Sequence, residues 1–69
     1  MSTVQERVSE EFMALEEKMM KLNDFIIRSE VYEGLDAVDQ LLLRLQASAM
    51  AQYAAILGER LDRFQKAMT

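Results

Sequence analysis

Val8, Phe12, Leu15, Met19, Leu22 and Ile26 follow one another at steps of 4, 3, 4, 3 and 4 residues. A strand returns to the same face every second residue, whereas these steps place side chains in one line along an α-helix. The spacing therefore predicts a helix over residues 3–28 with a heptad seam. Thr3 followed by Glu6 has capping-box spacing, with Ser2 as the other candidate start. Glu6, Glu10 and Glu11 suit the N-terminal half of that helix, and Lys18, Lys21 and Arg28 suit its C-terminal half. With no proline and two glycines in 69 residues, little interrupts long helices, and a β-rich fold lacks turn residues.

SEVYEGLD, residues 29–36, reads as the join. Ser29, Gly34 and Asp36 are turn or cap types; Gly34 is a candidate for positive φ and Asp36 for the N-cap of a helix over 37–67. The apolar face of this second helix is assigned to Val38, Leu41, Leu42, Leu45, Ala49, Tyr53, Ile56, Leu57, Leu61, Phe64 and Met68. Steps of four dominate from Leu45 to Leu61, slower than a heptad, so no simple left-handed supercoil is required of it. Two long helices across a short join give an antiparallel hairpin. The expected fold class is all-α: one domain, residues 1–69, an antiparallel two-helix hairpin assembling into a homo-oligomeric helical bundle.

Association is expected because a core this small seldom supplies more than about 3–5 kcal/mol. Without Cys or His, neither a disulfide nor a zinc site can staple it. Met13, Met20 and Ile27 form a second stripe at intervals of seven, read as an association surface rather than a widened monomer core. Ala47, Ala49, Ala51, Ala54 and Ala55 leave a narrow flank that another helix can approach closely. Gly58 costs about 1 kcal/mol in a helix interior relative to Ala, which points to a close contact, either a helix crossing or a ligand. The expected oligomer interface is Met13, Met20, Ile27, Ala51 and Gly58.

Composition narrows the function classes. Apolar residues are 51% and charged residues 29%, which argues against disorder. The net charge of −4 disfavours duplex nucleic acid, whose phosphates need clustered cations. No apolar run approaches the roughly 18 residues of a membrane span, and the polar, acidic start is unlike a secretory signal. A cytoplasmic location is expected, with no membrane partner. The absence of His and Cys removes the commonest general base and the best nucleophile, so no enzyme, catalytic residue or cofactor is expected. Glu10/Glu11, Glu16/Glu17 and Asp36/Asp39 are ordinary solvated carboxylates, and no metal site is expected.

The cations carry more information. In a hairpin centred near residue 32, Lys21 comes level with Arg44, while Arg60 and Arg63 come level with the Glu6 end. Glu6, Glu10, Glu59 and Asp62 are then ready partners for the two arginines, and surface ion pairing is the plain reading. If association gathers copies of Lys21, Arg44 or Arg60, an anion pocket forms between subunits, with Tyr53 placed to stack on a base.

EEKMMKLNDFI (16–26) and YAAILGERLDRF (53–64) together resemble a widespread family of very small phage-encoded proteins, related to one from crAss-like phages. Its members end in a pattern like Y-x-x-I-L-G-E-R-I-x-x-F. Tyr53, Ile56, Leu57, Gly58, Glu59, Arg60 and Phe64 match it, and Leu61 replaces the usual Ile. The resemblance covers nearly the whole chain. The architecture is similar to the helical hairpins of phage counter-defence proteins that neutralise CBASS and Thoeris immunity by holding nucleotide second messengers between subunits. The resemblance thus implies a phage accessory protein of the infected bacterial host's cytoplasm. It would bind a cyclic nucleotide or other nucleotide second messenger without catalysis. No binding position is carried over from those sponges, and the candidates Arg60, Lys21, Arg44 and Tyr53 come from charge and aromatic placement. The alternative is a helical protein–protein interaction module that inhibits or bridges a host or phage protein. It would dock through the Met13/Met20/Ile27 stripe or the alanine flank.

Overall fold

The computed structural model describes residues 3–68, the last of these without its side chain; Ser2 and the Met68 side chain lie outside the described residues. Three helices follow in order: α1, Val4–Arg28; α2, Glu30–Glu33; and α3, Ala37–Met68. The two long helices pack side by side over 50 × 19 × 17 Å, and no strand occurs among the described residues.

Each boundary has a local cause. Thr3 Oγ1 accepts the Glu6 N–H at 3.1 Å, which satisfies one of the free donors at the start of α1. Ser29 turns extended (φ −83°, ψ 128°) and ends α1, and its hydroxyl then accepts the Val31 N–H at 3.1 Å to start the single turn of α2. Asp36 Oδ1 accepts the Asp39 N–H at 2.9 Å and so caps α3. Gly34 sits in the right-handed region (φ −82°, ψ −8°), not at the positive φ considered for it. Its N–H closes a further helical turn onto the Glu30 carbonyl, so the chain reverses after it.

Gln40 binds the join together. Its side-chain amide donates to the carbonyls of Tyr32 (2.9 Å), Leu35 (3.3 Å) and Glu33 (3.4 Å), at the end of the short turn. Phe25 and Tyr32 meet edge-to-face, 6.0 Å between centroids, and seal the same end.

The best-packed part of the core lies toward the open end of the hairpin. Val8, Leu15, Ala54 and Leu57 are buried, Leu57 completely, with Phe12, Met19, Met50, Leu61 and Phe64 packed around them. The α3 residues turned toward α1 are Leu43, Ala47, Met50, Ala54, Leu57, Leu61 and Phe64, at steps of 4, 3, 4, 3, 4 and 3. This is a heptad line matching the one on α1, so the two lines stay in register along the hairpin.

The face expected for this helix is corrected accordingly. Val38, Leu41, Leu42, Leu45, Tyr53 and Ile56 are exposed, and only its C-terminal members Leu57, Leu61 and Phe64 turn inward. The inner line wins because its period matches that of α1 and its alanines leave room for Phe12, Leu15 and Met19. The outer line is richer in large aliphatics but runs at 4, 3, 4, 4 and 3 from Val38 to Ile56, closer to the 3.6 period of a straight helix.

Candidate functional site

Contacts across the hairpin set its register. Tyr53 reaches Glu11, and Gly58 lies against the Phe12 ring. Lys21 is consequently level with the first turns of α3 near Arg44, while Arg60 lies toward the open end. Sixteen residues of α3 separate Arg44 from Arg60, which is about 24 Å of helix. Within one chain the four expected binding residues therefore form two groups, Lys21 with Arg44 and Tyr53 with Arg60.

The first group is plain. Lys21 pairs with Glu17 one turn earlier at 3.3 Å, both groups well exposed. Arg44 is exposed and makes no ion pair among the described residues.

The second group has a shape. Ala55, Ile56, Glu59, Arg60 and Arg63 line a shallow groove of about 360 Å³ on the outer side of α3. Ala55 and Ile56 supply an apolar wall, and Arg60 and Arg63, one turn apart, supply two guanidiniums. The pairing expected for these arginines with Glu6, Glu10, Glu59 or Asp62 is not formed among the described residues. Asp62 is approached by Lys66 instead, at 3.9 Å. Arg63 is the residue that sequence reasoning gave to ion pairing. The available signal was its i, i+3 relation to Arg60 beside two apolar residues.

Tyr53 borders this group on the same helix. Its hydroxyl donates to the Glu11 carboxylate across the hairpin, which fixes the ring on the α3 surface. That hydrogen bond, with some desolvation and the Glu11 charge, raises the phenol above its ordinary pKa of 10.0, while Arg60 pulls the other way.

The expected interface residues are dispersed. Met13, Met20 and Ile27 stand exposed along α1, and Ala51 is exposed on α3. Gly58 faces inward: a Cβ built on it would lie 3.6 Å from Phe12 Cε2, an ordinary contact. Among the described residues, no group of three or more acidic or soft ligands could hold a metal ion, and no helix is long and apolar enough to cross a membrane.

The family model of Sequestin matches residues 2–63, both long helices and the join between them. The chain belongs to the Sequestin family. The match takes in the groove from Ala55 to Arg63. The Sequestin name denotes sequestration, the capture and holding of a molecule. Neither a curated protein nor a solved structure matches this Sequestin chain.

Proposed function

We propose that this protein captures a nucleotide-derived immune signal and holds it without turning it over, as a phage counter-defence sponge in the bacterial cytoplasm. The observation that carries the reading is the groove in which Arg60 and Arg63, with no ion pair among the described residues, stand beside Ala55 and Ile56. A nucleotide offers phosphates and a flat apolar base together. Two guanidiniums one turn apart make charge-assisted hydrogen bonds to phosphate oxygens, and they keep their charge at any physiological pH. Tyr53, already oriented by Glu11, gives the base a ring to stack on. Sequestration needs affinity and copy number and no acid–base chemistry, in keeping with a chain that has neither His nor Cys. Lys21 and Arg44, set apart along the hairpin, add anion contacts only where a neighbouring copy brings them to a groove.

Calorimetric titration with cyclic dinucleotides and ADP-ribose derivatives tests this reading. Arg60→Glu and Arg63→Glu should each weaken binding tenfold or more, about 1.4 kcal/mol, with the helical circular dichroism unchanged. Undiminished binding in both variants would remove the site.

A second reading, a helix-in-groove interaction module, is favoured by the exposed Met13, Met20 and Ile27 stripe. Loss of a co-purifying host protein on Met20→Glu, with nucleotide binding absent throughout, would select it.

A further inference from the structure

We infer that Glu59 selects for a ribose in the groove on α3, accepting hydrogen bonds from its two neighbouring hydroxyls while Arg60 and Arg63 hold the phosphates. This rests on the nucleotide reading of the groove and adds which part of the nucleotide is checked, and by which residue.

The lining holds a carboxylate as well as two guanidiniums: Ala55, Ile56, Glu59, Arg60 and Arg63. Glu59 stands four residues before Arg63, the order in which a helical ion pair is favoured. No such pair forms among the described residues, and Glu59 makes no hydrogen bond there. The groove therefore offers both signs of charge to whatever enters it. Toward a bare phosphate the carboxylate is a liability, since like charges brought together repel. It becomes useful only for an anion that also carries hydrogen-bond donors.

Position identifies the donors. With about 3.6 residues per turn, Ile56 and Arg63 fall nearly on one line, and Glu59 and Arg60 stand on its opposite flanks. Along the axis, Glu59 lies about 4.5 Å beyond Ile56 and about 6 Å short of Arg63. The sugar of a nucleotide lies between base and phosphate in the same order. A base against Tyr53 and Ile56, with phosphates at Arg60 and Arg63, thus sets the sugar level with Glu59. An ionised carboxylate only accepts, through two oxygens. The two adjacent hydroxyls of a ribose donate to such a pair side by side, and bonds of this kind are charge-assisted. A deoxyribose keeps one of the two donors, and pyrophosphate brings only further negative charge. Glu59 therefore gives up affinity for phosphate in return for recognition of the sugar.

Two-dimensional NMR titrations with ADP, dADP and inorganic pyrophosphate, on the wild type and on Glu59→Ala, test this assignment. Glu59 is exposed and alanine is the best helix former, so the variant keeps its fold, as circular dichroism would verify. The wild type should bind ADP about tenfold more tightly than dADP. Glu59→Ala should abolish that preference, weaken ADP binding, and bind pyrophosphate more tightly than the wild type does. A merely structural role for Glu59 would not move the two ligands in opposite directions. Equal wild-type binding of ADP and dADP, or a preference that survives Glu59→Ala, would overturn the inference and leave the nucleotide groove standing. If neither nucleotide shifts the amides of residues 55–63, the nucleotide reading of the groove falls, and the inference with it.

Discussion

The inner and outer lines of α3 carry comparable numbers of apolar residues and meet opposite fates. Leu43, Ala47, Met50, Ala54, Leu57, Leu61 and Phe64 face α1, and Leu57 among them loses all contact with solvent. Val38, Leu42, Leu45, Ala49, Tyr53 and Ile56 face away. Hydrophobicity does not separate the two lines, since the two alanines of the inner one are offset by Leu61 and Phe64, and the branched aliphatics of the outer one by Ala49 and Tyr53. Two physical terms decide. A seam stays in contact along a long hairpin only when its period matches its partner's, and the inner line shares the 4, 3 alternation of α1. Small residues then let the helix axes close on the aromatic and methionine side chains of α1, and close packing is worth more than a few extra methylenes held at a distance.

Truncating one residue on each line gives the largest contrast. Leu57→Ala should cost about 2–5 kcal/mol, a large part of what a core this size supplies. Leu45→Ala should change stability by less than about 0.5 kcal/mol at concentrations where the chain is monomeric. Thermal melts followed by circular dichroism read both. Equal losses would mean that the two lines had been assigned to the wrong sides.

Gly58→Ala sharpens the inner line itself. An alanine Cβ meets Phe12 at an ordinary van der Waals distance, so the variant should gain close to the helix-propensity difference of about 1 kcal/mol. A loss of stability would show that the ring cannot yield and that glycine is required for the crossing. Gained stability with weakened ligand capture would instead tie Gly58 to binding.

The smallest effect lies at the border between the lines, at Tyr53. Its folded-state pKa is raised above 10.0, mainly by the hydrogen bond to Glu11. The folded chain thus holds this proton more tightly than the unfolded one. The contact contributes fully below the ordinary tyrosine pKa and is lost as pH rises through the raised value. In a Tyr32→Phe background, phenolate absorbance should titrate above the ordinary tyrosine range. Glu11→Gln should bring it back down. An unmoved titration would show that the cross-hairpin bond does not persist in solution.

Much of the fold was legible because it is local. Thr3 and Asp36 cap the helices through side chains that reach three residues along their own chain, and the α1 seam declares itself by spacing alone. The inner line of α3 was hidden by its alanines, which look like a flank when helix two is read without its partner. The candidate site was legible only in fragments: Arg60 and Tyr53 stood out as types, whereas Arg63 gained meaning from an outward-facing groove and from carboxylates that, among the described residues, do not pair with it.

The sequence by itself therefore determined two long helices, where they begin, and a chain without His or Cys, since capping, periodicity and composition act over a few residues. Only the tertiary structure decided which side of α3 is inside. That choice depends on matching two helices at once, in period and in side-chain size, and no single helix contains the information.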